Sequence, residues 1–225
     1  MQLHADLTRP AIVDGDSLDW VRSPIPGVDR RMLERDGDEV ARATSLVRYA
    51  PGSAFSAHGH GAGEEFLVLD GVFSDETGDF PAGSYVRNPP GSRHAPASAP
   101  GTVIFVKLRQ MPPEETQPLR LFTRDPGLWK GDGSGVECAV LFEAPWERVV
   151  MLRLSRGHRE LRETWPAGVE WFVVEGSIEV DGGVHAAGAW LRFPPGATVA
   201  IRAPDRALLY RKSGHLARGT RSAAR

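Results

Sequence analysis

The sequence predicts an all-β protein built from two tandem copies of one fold, and three observations carry that prediction. Short apolar runs of four to seven residues alternate with Gly/Pro turns along the 225 residues, with no convincing long helical period. The second half repeats the first: Gly52 meets Gly157, Gly71 meets Gly176, Gly83 meets Gly188 and Gly91 meets Gly196. The offset is 105 throughout, with no gap from residue 46 to about 107. Eighteen prolines and 25 glycines supply the many turns that a barrel or sandwich of short strands must make.

The elements of each copy follow in order. Residues 44–49, 66–69 and 102–108 read as strands of the first copy, and 149–154, 171–174 and 207–211 as strands of the second. Upstream the offset grows to about 108, pairing Gly27-Val28 with Gly135-Val136 and Leu33 with Leu141. Residues 110–118 are Pro-rich and polar, as expected of a linker between two cores. The expected domains are therefore 1–110 and 119–215, followed by a basic tail at 216–225. Arg211, Lys212, Arg218, Arg221 and Arg225 face no acid in this stretch, and they read as a solvated, frayed end.

Composition excludes several functions. About two-fifths of the residues are hydrophobic and a quarter charged, with a formal net charge of −2, so no global field gathers nucleic acid or an anionic membrane. No apolar run approaches the ~20 residues of a membrane span, and the first ten residues lack the apolar core of a signal peptide. A single cysteine, Cys138, forbids an intrachain disulfide framework, which fits a cytoplasmic location. Its apolar neighbours Val136, Val140 and Phe142 make it a small core residue rather than a reactive thiol.

The chemistry lies in two glycine-bounded blocks of the first copy. Gly52, His58, His60, Glu64 and Gly71 define one; Gly83, Pro89, Gly91 and His94 define the other. Residues two apart on a strand face the same way, so His58 and His60 point together. Gly61-Ala62-Gly63 offers a flexible bulge after which Glu64 turns to the same centre. His94 returns from a different strand beyond the Pro89-Pro90-Gly91 turn. Any one of these histidines alone would read as a solvated or satisfied polar group; the four groups in register read as the ligands of one divalent metal. Three imidazoles and a carboxylate suit Fe(II), Mn(II), Zn(II), Ni(II) or Cu(II). A cation with four protein ligands in octahedral coordination keeps two positions for water, substrate or dioxygen.

The repeat sharpens the ligand choice. Where the first copy has His58, His60, Glu64 and His94, the second has Glu163, Trp165, Val169 and Val199, yet Glu65 persists as Glu170. A residue kept where no metal can bind is structural, which leaves Glu64 as the ligand. The same reasoning assigns Arg87, matched by Arg192, and Arg48, matched by Arg153, to the scaffold. Phe66 and Tyr85 flank the ligands and are the candidates for a substrate pocket. Trp165, Trp171 and Trp190 read as core of the second copy, and His4, His158, His185 and His215 as surface residues.

These blocks resemble the cupin superfamily. More narrowly, His58-Gly-His60-Gly-Ala-Gly-Glu64-Glu65-Phe-Leu-Val-Leu-Asp-Gly71 and Gly83-Ser-Tyr85-Val-Arg87-Asn-Pro-Pro-Gly-Ser-Arg-His94 look like the ChrR-type cupin. The close resemblance covers residues 44–108, with a degenerate echo over 149–212. One departure is Ser98, where an asparagine often follows the last histidine. The resemblance implies two jelly-roll barrels, a bicupin, with a divalent metal (Fe, Zn, Mn or Ni) on His58, His60, Glu64 and His94. Relatives of this type include anti-sigma factors answering singlet oxygen and stand-alone cupins similar to acetylacetone-cleaving dioxygenases. In the anti-sigma factors a separate helical domain with paired cysteines binds sigma. This chain has one cysteine and no such segment, so a sigma factor is not an expected partner.

Two functions lead, and a third, a metal-dependent isomerase or lyase, lacks an obvious histidine base beyond the four ligands. The first is an Fe(II)-type oxygenase acting on a small dicarbonyl or aromatic ketone. The second is a non-catalytic, metal- or ligand-binding stress sensor. Both take a small-molecule ligand, neither needs nucleic acid or a membrane, and homodimerisation stays open.

Overall fold

The computed structural model describes residues 1–131, 133–159 and 162–217, and almost all of its regular structure is β-strand. The chain forms two compact units: Met1–Ala5 with Leu18–Arg124, and Asp6–Ser17 with Asp125–Arg225. The main sheet of the first unit runs Gln2–Leu3, Val28–Asp36, Arg42–Tyr49, Thr102–Leu108, Glu64–Asp75, Ser84–Asn88, Leu119–Phe122, every neighbour antiparallel. A separate two-stranded ribbon pairs His58–His60 with Ser92–His94. The second unit repeats this plan as Trp129–Gly131, Val136–Ala144, Glu147–Leu154, Ala207–Ser213, Val169–Glu175, Ala189–Phe193, Ala11–Asp14. Its ribbon pairs Glu163–Trp165 with Ala197–Val199. No described helix is long and apolar enough to cross a membrane.

The repeat persists down to individual registers. In the first unit Val103 faces Asp70 and Ile104 faces Val68, so Leu69 is bulged; in the second, Val174 is bulged at the matching place. Leu33 and Leu141 are likewise the bulged residues of their strands. A bulge moves every following side chain to the other face of its strand. Glu64, Phe66 and Val68 therefore share the interior with Phe73 and Asp75 beyond the bulge. Gly71 and Gly176 follow with φ of 69° and 74°. A Cβ there would run into the carbonyl of Gly101 or of Arg206, where the strands cross closely. Gly71→Ala is expected to destabilise the first unit by on the order of 3 kcal/mol. Urea denaturation measures this, and an unaltered midpoint would contradict the close approach.

Each unit has its own core. Val28, Val47, Phe66, Val68, Phe73, Val86, Ile104 and Val106 fill the first. The second is packed by Leu152, Val169, Trp171, Leu191, Phe193, Val199 and Leu209 with Trp165, and Cys138 lies partly buried against it. Trp190 is fully buried, so all three tryptophans are interior residues.

The structure departs from the expected organisation in three places. Residues 110–118 are not solvated throughout. Met111 is buried against Gly63, and Glu115 is buried in a bidentate ion pair with Arg87. Next, each main sheet ends in a strand from the other expected domain: Leu119–Phe122 closes the first, and Ala11–Asp14 closes the second. The compact units divide between Arg124 and Asp125, with Asp6–Ser17 in the second. An open sheet edge leaves backbone groups unpaired, and these segments supply the partners. Finally, Lys212 lies in the strand Ala207–Ser213, fully buried beside Glu147 at 3.1 Å. His215 is buried with Nε2 3.2 Å from Glu170, and Leu216 packs against Gly168 as Met111 packs against Gly63. Neither His215 nor the start of the expected tail is a surface feature; residues 218–225 of that tail lie outside the described residues.

Candidate metal centre

The ribbon of the first unit brings three histidines together. His58 and His94 are register partners across it, and His60 lies one side-chain period along the same strand, on the same face. The three rings form a triangle with centroids 4.8, 4.9 and 5.1 Å apart. One ring nitrogen from each lies within 4.8 Å of the others, a group that could hold a metal ion. His60 and His94 are buried, while His58 is exposed at the mouth. Glu64 enters from the main sheet, with Oε2 3.5 Å from Nε2 of both His60 and His94.

The donor set fits a cation. Nε2 of His60 and Nε2 of His94 stand 3.0 Å apart. Two nitrogens each about 2.1 Å from a shared ion at a right angle would stand about 3.0 Å apart. Protons are directed away from that point. Nδ1 of His58 faces the Ser56 carbonyl at 3.2 Å, and Nδ1 of His94 faces Asp75 at 3.4 Å, so each Nδ1 donates and each Nε2 keeps its lone pair. Asp75 is held in turn by the Thr77 amide at 2.7 Å and the Thr77 hydroxyl at 2.5 Å.

The electrostatics point the same way. Burial, reinforced by His58, pulls the His60 imidazole down to about 4. Burial also lowers His94, against the pull of Glu64. The Glu64 carboxyl is pushed up by burial, opposed by His94, Asn88, His58 and Arg120. Neutral imidazoles are thus available at neutral pH, and Glu64 gains most from a positive charge at the centre.

Glu65 has a different environment. It points to the opposite face of its strand, where it accepts hydrogen bonds from the Tyr85 hydroxyl at 2.7 Å and from Arg87. Arg87 is fully buried between Glu65 and Glu115. Arg48 is half-exposed, paired with Asp29 at 2.7 Å and lying over the Trp20 ring.

Of the two pocket candidates, Phe66 lies inside the barrel, its ring 4.5 Å from Phe73, which in turn lies 5.7 Å from His94. Tyr85 does not line the centre. It shares the Arg87 face of the strand Ser84–Asn88, whereas Val86 and Asn88 face the interior. The one-residue alternation of that strand decides this.

Four interior residues escaped the sequence reading: Tyr49, Asp75, Asn88 and Arg120. Tyr49 stacks 5.1 Å from Phe55 and 6.0 Å from Phe73, and burial with the Glu64 charge pushes its phenol up, keeping the proton on. Asn88 Nδ2 donates to Glu64 at 3.0 Å, and Arg120 donates to Asn88 Oδ1 at 2.6 Å. A signal was present. At the offset of 105, Tyr49, Asp75 and Asn88 become Leu154, Val180 and Phe193, so they vanish together with the ligands.

A two-copy antiparallel β fold with a histidine cluster in its first barrel defines a bicupin. The ChrR cupin-like domain family matches residues 8–112 and 123–217, and the chain belongs to that family. No curated protein sequence matches it. Among solved structures it is similar to an inferred dioxygenase from Nostoc punctiforme, with TM-score 0.74 and 16% identity over 93% of this chain and 84% of that one. The bacterial pirin YhhW from Escherichia coli in complex with nickel(II) gives TM-score 0.66 and 14% identity over 91% and 98%. Protein YlbA from Escherichia coli gives 0.69 and 18% over 92% of each chain. At these identities the likeness establishes the fold.

Proposed function

We propose that His58, His60, Glu64 and His94 bind one divalent metal ion, and that the chain is an Fe(II)-type oxygenase for a small dicarbonyl or aromatic ketone. The observation that carries the reading is the convergence of the Nε2 atoms of His60 and His94, 3.0 Å apart, beside a buried carboxylate in an aromatic-lined barrel. When bound, the metal supplies Lewis acidity and a redox centre beside open positions. The protein's own contribution is orientation and exclusion of water. Phe66 and Phe73 give the interior an apolar wall suited to a flat carbonyl compound. Tyr49 keeps its proton and can donate a hydrogen bond to a substrate oxygen. His58, exposed at the mouth, is the ligand nearest the solvent.

A second reading, a non-catalytic metal- or ligand-binding sensor, draws on the other barrel. There Trp165, Val169 and Val199 pack as core at the positions of His60, Glu64 and His94. Half of the protein thus keeps the architecture without the chemistry. One experiment separates the two. Protein purified without a histidine tag is analysed for metal, reloaded with Fe(II), and followed for oxygen consumption with diketones and hydroxyketones. The expected result is close to one metal per chain and substrate-dependent oxygen uptake. Full loading without turnover across that class removes the oxygenase and leaves the sensor.

A further inference from the structure

We propose that Arg120 is a positioning residue of the metal centre, acting through the Asn88 amide to aim the Glu64 carboxylate; this rests on the metal-centre reading above. The contacts form one chain. Arg120 Nη2 donates to Asn88 Oδ1 at 2.6 Å, and Asn88 Nδ2 donates to Glu64 Oε2 at 3.0 Å. That same Oε2 is the atom 3.5 Å from both His60 Nε2 and His94 Nε2.

The chemistry of the groups sets the direction of the relay. A guanidinium only donates, so the amide oxygen must face Arg120 and the amide NH2 must face Glu64. Without Arg120, the Asn88 amide loses the donor that anchors its oxygen, and its NH2 is held toward Glu64 less firmly. Arg120 is itself pinned, donating through Nη1 to the Arg87 carbonyl at 2.8 Å and to its neighbour Leu119 at 3.0 Å. Its guanidinium also lies over the Phe80 ring, 5.5 Å from the centroid.

The internal repeat supplies an independent observation. Arg120 is the register partner of Val86, and at the matching place in the second unit Ile12 is the partner of Leu191. Glu64 and Asn88 correspond to Val169 and Phe193, so all three members of the relay are apolar where the histidines are missing. The buried pair on the opposite face behaves otherwise: Glu65 and Arg87 are register partners, and Glu170 and Arg192 repeat them. A purely scaffolding Arg120 has no reason to disappear with the ligands.

The test uses the full chain loaded with Co(II), with affinity measured by chelator competition and geometry by the visible absorption bands. Arg120→Ala is expected to weaken Co(II) binding by about tenfold to a hundredfold and to shift the bands, the usual range for a group that orients a ligand. Arg120→Lys should recover most of the affinity, and Arg120→Ala should add no loss in an Asn88→Ala background. Wild-type affinity and spectrum in Arg120→Ala, even with a lowered melting temperature, overturn the proposal, as does an equal loss in the Asn88→Ala background. If Arg120→Ala does not fold, Asn88→Ala decides alone: an unchanged Co(II) spectrum overturns the relay. A wild-type chain that binds no Co(II) overturns the metal-centre reading and this inference with it.

Discussion

His60→Ala is expected to abolish metal loading while leaving the fold intact. His60 is a buried imidazole with a strongly lowered proton affinity, pulled to about 4, and its Nε2 stands 3.0 Å from that of His94. Removing it takes away one of four donors, and the methyl group that replaces it cannot coordinate. The second barrel shows that the architecture tolerates an apolar group at this position, since Trp165 fills the same place against Trp171 at 5.8 Å. Loss of metal should therefore come without loss of secondary structure. Elemental analysis and circular dichroism on the same sample decide the matter. A His60→Ala protein that keeps one metal per chain would falsify the assignment.

The second large effect should fall on stability. Glu65→Ala is expected to destabilise the first unit by about 3–5 kcal/mol, the usual consequence of breaking a buried ion pair. Glu65 is 2% exposed and takes hydrogen bonds from Tyr85 and Arg87, both fully buried. Alanine takes away the Glu65 acceptor of the Tyr85 hydroxyl and one of the two carboxylates, Glu65 and Glu115, that flank Arg87. Because Glu65 faces away from the histidines, metal content should stay near wild type. Glu64→Ala should give the reverse signature, a stable protein with weakened metal binding. If Glu65→Ala empties the site, the two adjacent carboxylates have been assigned the wrong way round.

The contrast between these neighbours was legible before any coordinates, because the repeat preserves Glu65 and discards Glu64. So were the strands, whose short apolar runs and glycine turns follow the period of an extended chain. The placement of Tyr85 was not. It is close in sequence to the ligands, but the alternation of its strand turns it to the far face beside Arg87. The role of residues 110–118 was also hidden. Proline and polar composition describe a segment's local preference, whereas Glu115 is drawn inward by a long-range partner, Arg87. His215 misled for the same reason, since its partner Glu170 is 45 residues away along the chain.

The sequence alone determined the fold class, the duplication and which four side chains face one another, because strand periodicity and a fixed offset are properties of residue order. Tertiary structure decided what surrounds those four. The bulge at Leu69 puts Asp75 behind His94, and the strand Leu119–Phe122 puts Arg120 behind Asn88. Both placements depend on how distant strands pair. Pairing is a contest among sheet edges for backbone partners, and a local pattern of apolar and polar residues carries no record of who wins it.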